Sequence, residues 1–498
     1  MSDTSRPLTP KAPASGDMDA ETFRTQGHRL VEWIADYLEH SDRYPVLAQV
    51  KPGEIAASLP AAAPAEGEPF DRILDDFEKL IVPGLTHWNH PGFFAYFAIS
   101  ASAPGILADF LSSALNQQAM LWRTSPSATE LEAVTLGWLR DLMGLPSSFD
   151  GVIYDTASIS TLHALAAARE MKVPGVRKEG LSGRAEIPRV RIYCSEHAHN
   201  SVDKAVILLG HGHEAVRHIP ADENFSMRPD ALDAAIKQDL ADGCLPIAVV
   251  ATVGSTSTTS IDPVPAIADV CEKYDLWLHI DGAYGGVAAI VPECRAAFEG
   301  CARAHSFVVN PHKWLFVPFD LSVLYCRRMD LLRAAFSLSA EYLKTSEAAT
   351  VQNLMDTGVQ LGRRFRALKL WMVMRYFGAD GIRSRLADHM RLARLFGEWV
   401  DADPDFERTA PVPFSVVCFR AVPRGSQKTH AEIDTFNERL MELVNASGEI
   451  FLSHTRLHGR LTLRLAIGQL RTTEAHVARA WTLLKLHAAS LDGRGVPA

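Results

Sequence analysis

The sequence predicts an α/β protein built on a mainly parallel sheet. Three observations lead there. Between about residues 104 and 371, short β-rich runs alternate with helical ones. The β-rich runs are nearly continuous in apolar residues, as strands are when helices cover both faces of a sheet. The residues suited to chemistry sit just past the ends of those runs, where parallel sheets bind ligands.

The chain has 498 residues, 47% of them hydrophobic, and a formal charge of -9. That length exceeds what one core serves, so several domains are expected. The first is a polar, disordered tail over 1–17, MSDTSRPLTPKAPASGD, which lacks the apolar core of a signal peptide. A helical domain over 18–103 follows, then the α/β domain over 104–371 and a small α+β domain over 372–490. The acidic balance and the lack of a dense Lys/Arg cluster argue against nucleic acid. Seven cysteines are scattered singly with no CxxC pair, which reads as reduced thiols in a cytoplasmic protein. No stretch approaches the roughly 20 apolar residues of a membrane span; the nearest is broken by Pro104 and Asp109.

Taken in order, ETFRTQGHRLVEWIADYLEH repeats apolar residues at helical spacing. LPAAAPAEGEPF reads as a linker, and PFDRILDDFEKLIVPGL as a second amphipathic helix. Strands are then expected at GVIYDT, RVRIYCS, PIAVVAT, LWLHID, SFVVN and LSVLYCR, with helices between. FSVVCFRAV and RLTLRLAIG read as strands of the last domain.

Four features follow predicted strands. In DTASIS, small and hydroxyl residues open a helix; the stretch reads as an ordinary N-cap or as a phosphate cradle. In SEHAHNSVDKA, His197 and His199 lack the Cys or carboxylate partners that would complete a metal site, so no metal is expected there. They read as ordinary histidines or as a ring lying flat on an aromatic ligand. In LWLHIDGAYGG, Asp281 ends an apolar strand and needs a cationic partner or hydrogen-bond donors. The glycines there do not have dinucleotide-binding spacing. In NPHKWLFVPFD, Lys313 stands where its ammonium form is disfavoured, which makes an amine nucleophile. A helix terminus for a phosphate, an acid for a ring nitrogen and a lysine for an aldehyde together suit pyridoxal phosphate.

With THWNHPGFFAYF, SPSATELE, DTAS, EHAHNSVDKA, ATVGSTSTTSIDP, HIDGAYGG, NPHKW, SAEYLK, LGRRFRALKLW and TRLHGRLTLRLAIG in place, the chain resembles the group II pyridoxal-phosphate decarboxylases. Within them it is most similar to the aromatic-L-amino-acid decarboxylases, from about Asp19 to Leu484. The resemblance implies the type I, aspartate aminotransferase-like fold. It makes Lys313 the Schiff-base lysine and Asp281 the partner of the pyridine nitrogen. Ala283 and His199 pack on the two ring faces. Thr156, Ala157, Ser158 and Asn310 hold the phosphate, with His312 nearby. Thr256 approaches the phenolic oxygen. Tyr342, on a loop, returns a proton to the α-carbon.

The resemblance also implies a homodimer with shared sites, its 18–103 domain forming the dimer. The substrate is an aromatic amino acid such as dopa, 5-hydroxytryptophan, tryptophan, tyrosine or phenylalanine. Oxidative relatives make aldehydes and usually lack the loop tyrosine; histidine decarboxylation is a further alternative. The substrate pocket is expected to draw on Trp88, Tyr96, Phe97, Ile99, Gln118, Met120 and Gly362. Ile99, Gln118 and Met120 depart from the pattern usual in such relatives, and Gly362 leaves room for a large ring.

Overall fold

In this computed structural model, residues 16–338 and 351–493 are described. The chain divides into two compact units. The smaller runs to Phe93 and adds Glu438–Leu452 and the segment from Arg471; the larger holds Phe94–Asn437 and Ser453–Leu470.

The larger unit is organised by a seven-stranded sheet. Its strands are β1 (Asp150–Tyr154), β2 (Val190–Ser195), β3 (Val216–Ile219), β4 (Leu245–Thr252), β5 (Trp277–Asp281), β6 (Ser306–Val309) and β7 (Ser322–Cys326). Their order across the sheet is β1-β7-β6-β5-β4-β2-β3. β2 to β6 are parallel, β7 runs antiparallel to both its neighbours, and β1 therefore points the same way as β6. The ends of β1, β2, β4, β5 and β6 thus share one edge of the sheet.

The strand sequences are apolar throughout because two cores sandwich them. Successive side chains leave opposite faces. Val249, Ala251, Leu278, Ile280 and Phe307 enter one core. Ala248, Val250, Trp277 and Val308 enter the other, with Ala164, Leu165, Ala167 and Ala168 of the helix Ala157–Lys172. The polar His279 is tolerated inside β5 because its Nδ1 lies 2.8 Å from the Ser306 hydroxyl, which also accepts from Trp277 Nε1 at 2.9 Å.

A second sheet in this unit joins β8 (Phe406–Arg408), β9 (Val416–Ala421), β10 (Ser453–Leu457) and β11 (Arg460–Ala466), in the order β10-β11-β9-β8, all antiparallel. The 36-residue helix Ala367–Ala402 is interrupted at Gly378, whose φ of 63° suits a residue without a Cβ.

In the smaller unit, the helix Ala20–Glu39 starts at Asp19, whose carboxylate accepts from the Glu21 and Thr22 amides. Phe70–Asp76 continues the second amphipathic segment through tighter and wider turns to Gly84. Among the described residues no helix is long and apolar enough to cross a membrane.

One buried ion pair ties the larger unit to its site. Arg363 donates to Glu132 Oε1 at 2.7 Å and to the carbonyls of Ile153 and Ala119. The same Glu132 oxygen accepts the Ile153 amide at 2.9 Å. β1 and the segment after Gly362 are thereby pinned to the helix Pro126–Met143. Removing one partner strands a buried charge, so Glu132→Ala should lose about 3–5 kcal/mol in denaturant unfolding. Glu132→Leu combined with Arg363→Met should recover much of that. A loss below about 1 kcal/mol for Glu132→Ala would contradict this role.

Candidate active site

Sheet register lines up the site's polar residues. Thr252 pairs with Asp281 across β4 and β5, and Asp281 pairs with Val308 across β5 and β6. Paired residues leave the sheet on the same face, and Asn310 follows Val308 by two. Thr252, Asp281 and Asn310 therefore stand side by side at the strand ends, on the face covered by the helix Ala157–Lys172.

That helix begins with open amides. Its N-cap, Thr156, makes no side-chain cap. The Thr156 hydroxyl instead donates to Asp155 Oδ1 at 3.0 Å, and Gln360 holds Asp155 Oδ2 at 3.0 Å. The first backbone bonds, from Ile159 and Ser160, both go to the Thr156 carbonyl at 3.1 Å. The Ala157 and Ser158 amides are left to face an anion.

β6 leads through Asn310 into the four-residue helix Pro311–Trp314, which carries Lys313. The Asn310 amide donates to the Ala283 carbonyl at 3.1 Å, and the Ala283 amide to Asp281 Oδ1 at 3.0 Å. Asp281 and Lys313 are so fixed on adjacent strand ends. Lys313 Nζ lies 5.3 Å from the centroid of the Phe97 ring, and among the described residues it has no hydrogen-bond or ion-pair partner. Burial pushes its ammonium below the usual lysine range, and the charge of Asp281 partly opposes this.

Burial disfavours the charged form of both histidines. Burial lowers His199, against the pull of Asp281, and pushes His312 down to about 3. His199 Nδ1 accepts the Ser201 amide at 3.2 Å, and His312 Nδ1 accepts the Leu321 amide at 2.9 Å. Each ring therefore carries its proton on Nε2. Beneath them Phe97 stacks on Tyr284 at 3.8 Å, and Tyr284 on the buried Trp314 at 4.8 Å.

These groups line a cleft of about 230 Å³. Phe97, Thr156, Ala157, Ser158, His199, Thr256, Asp281, Ala283, Asn310, His312 and Lys313 all line it. The other sequence candidates lie elsewhere. Trp88 belongs to the smaller unit and stacks on Phe93 at 4.3 Å. Tyr96 is 55% exposed, and neither it nor Ile99 lines the cleft. Gln118 and Gly362 meet each other: Gln118 Oε1 accepts the Arg363 amide at 2.8 Å, and a Cβ on Gly362 would lie 3.3 Å from Gln118 Nε2. Met120 packs with Leu121 and Met355. Tyr342 lies outside the described residues.

The structure adds residues that the sequence reading passed over. Thr252, Ser201, Tyr284 and Phe319 also line the cleft. Being the last residue of a predicted strand marked Thr252, as it marked Asp281. Arg464 is buried without a carboxylate partner among the described residues. It donates to the carbonyls of Ser257 at 2.8 Å and Thr256 at 2.7 Å, and to the Ser453 hydroxyl at 3.0 Å. Its guanidinium stands 5.5 Å from the Phe97 ring centroid. It fixes the loop that carries Thr256 against the aromatic wall.

Pyridoxal phosphate fits these groups. Among the described residues Thr252 Oγ1 is buried without a hydrogen-bond partner. Among the described residues neither Asp281 nor Lys313 forms an ion pair, and the helix terminus is open. A phosphate would meet the open amides, a protonated ring nitrogen Asp281, a phenolic oxygen the Thr252 hydroxyl and an aldehyde Lys313.

Residues 52–422 match the family model described as the pyridoxal-dependent decarboxylase conserved domain. The chain is 40% identical to tryptophan decarboxylase 2 of Oryza sativa subsp. japonica, over 96% of this chain and 97% of the other. It is 39% identical to a phenylacetaldehyde synthase of Arabidopsis thaliana, over 95% and 97%. Among solved structures, Oryza sativa TDC with PLP and tryptamine superposes at a TM-score of 0.92, with 36% identity over 96% of this chain and 100% of that one.

The unpartnered Thr252 hydroxyl gives a test of opposite signs. A buried oxygen without a donor costs about 1–3 kcal/mol. Thr252→Val should therefore stabilise the cofactor-free protein, yet weaken its hold on pyridoxal phosphate, measured by melting and by cofactor titration. A variant that is less stable when cofactor-free and binds cofactor normally would contradict the assignment.

Proposed function

The chain belongs to the pyridoxal-dependent decarboxylase family, with its type I fold and its pyridoxal phosphate, and we propose that it decarboxylates aromatic L-amino acids to amines. The observation that carries this reading is Lys313, partly buried and without an ion-pair partner among the described residues, on the strand end adjacent to Asp281 in a cleft walled by Phe97, Tyr284 and Phe319. The end-to-end relatives named above, a tryptophan decarboxylase and a phenylacetaldehyde synthase, support the aromatic substrate class.

Bound in the cleft, the cofactor supplies an electron sink for the charge left on the α-carbon when carbon dioxide departs. The residues do the rest. Lys313 offers a neutral amine to the aldehyde because burial disfavours its charge. Asp281, held by the Ala283 amide, keeps a proton on the ring nitrogen. Ala157 and Ser158 hold the phosphate with their open amides, assisted by Thr156 and Asn310, with His312 beside them. His199, oriented by Ser201, would present its imidazole to one face of the cofactor ring, with Ala283 on the other. Thr256, anchored through its carbonyl by Arg464, would approach the phenolic oxygen together with Thr252. Tyr342 returns the proton to the α-carbon, and its presence favours amine over aldehyde as product.

We further propose a cytoplasmic homodimer. All seven cysteines are free, which supports a reducing compartment. The helix Ala20–Glu39 leaves Phe23 and Val31 exposed at 55% and 46%, an apolar face suited to a second copy. In such a dimer, Gln118, Met120 and Gly362 reach the other subunit's cleft and select the substrate ring.

Carbon dioxide and amine release should be measured on dopa, 5-hydroxytryptophan, tryptophan, tyrosine, phenylalanine and histidine, with native protein and with Tyr342→Phe. The native protein should form amine and carbon dioxide in equal amounts from at least one aromatic substrate. Tyr342→Phe should lose about 10²–10⁴-fold in amine formation, consume dioxygen and yield aldehyde. Aldehyde from the native protein, or preference for histidine, would contradict the reading.

A further inference from the structure

Outside the cleft, three side chains converge on one point of the larger unit. Asp203 sits in the first turn of the helix Ser201–Leu208. His213 opens the short turn His213–Ala215, and His218 lies in β3. His213 Nε2 and His218 Nε2 stand 3.1 and 3.2 Å from a single oxygen, Asp203 Oδ1. All three donor atoms fall within 4.8 Å of one another.

We propose that Asp203, His213 and His218 form a binding site for a divalent transition metal, zinc by preference. Zinc bonds of about 2.0–2.2 Å in a tetrahedron place neighbouring ligand atoms about 3.3–3.5 Å apart. The two histidine–aspartate edges are already within a few tenths of an ångström of that spacing. Two imidazoles and one carboxylate suit zinc, whereas calcium and magnesium require a shell of oxygens. Asp203 is the fixed member, with its side chain 17% exposed. The histidines are 68% and 42% exposed, so an ion reaches them from solvent and water completes the fourth position.

The surroundings prepare one histidine for a metal. His218 Nδ1 lies 3.7 Å from Cys194 Sγ. With Nε2 on the ion, the proton moves to Nδ1, and the buried sulfur is there to accept it, as outer-shell partners do for metal-bound histidines. Cys194 lies on the Nδ1 side of the ring, away from Nε2, so it serves behind His218 rather than as a ligand.

The ion would fasten the helix Ser201–Leu208 to β3 across the connection that turns at Gly210 and Gly212. None of the three residues lines the cleft. The metal is therefore a staple, and this inference stands apart from the proposed catalytic reading.

The test uses tag-free, cofactor-loaded protein stripped with a chelator and titrated calorimetrically with zinc chloride. One zinc equivalent should bind per chain, and zinc should raise the melting temperature. His213→Gln and His218→Gln are surface changes, and their folding is checked by cofactor absorbance. Each should weaken that binding at least tenfold and abolish the rise. Absence of zinc binding, equal binding by the native protein and both variants, or binding without a rise in melting temperature would overturn the proposal.

Discussion

A lysine partly buried just past a strand end, its charge without an ion-pair partner among the described residues, is the constraint around which this molecule is arranged. Water would stabilise that charge; the cleft does not, and the nearest compensation is Asp281 on the adjacent strand. Neither group satisfies the other directly. The same holds for the open amides of Ala157 and Ser158 and for the Thr252 hydroxyl, which has no partner among the described residues. A site with so many unmet polar groups is complete only with a ligand that meets all of them.

The sheet makes this arrangement possible. Parallel in-register strands carry Thr252, Asp281 and Asn310 to one edge and one face without any adjustment of loops. β1 runs in the same direction although its neighbour β7 is reversed, so its helix begins at that edge too. Rigid supports back the mobile chemistry. The Glu132–Arg363 pair fixes β1, the Phe97–Tyr284–Trp314 stack forms a floor, and Arg464 holds the Thr256 loop.

Much of this was legible in the sequence, for identifiable reasons. Central strands such as PIAVVAT and LWLHID announce themselves because burial on both faces demands unbroken apolar runs. β3, by contrast, is an edge strand with two of its four residues partly or fully exposed, and nothing local marks it. Lys313 and Asp281 stood out because each is an isolated charge in apolar surroundings. Arg464 is a charge in an apolar strand as well, yet its role depends on carbonyls some 200 residues away in sequence, 207 and 208 positions removed for Ser257 and Thr256. Gln118 and Gly362 meet across a separation no sequence pattern encodes.

The central claim is that Lys313, and no other lysine, carries the cofactor. Borohydride reduction of the native holoprotein, followed by proteolysis and mass mapping, tests it directly. A pyridoxyl adduct is expected on the peptide containing Asn310, Pro311, His312, Lys313 and Trp314. An adduct confined to a different lysine would contradict it.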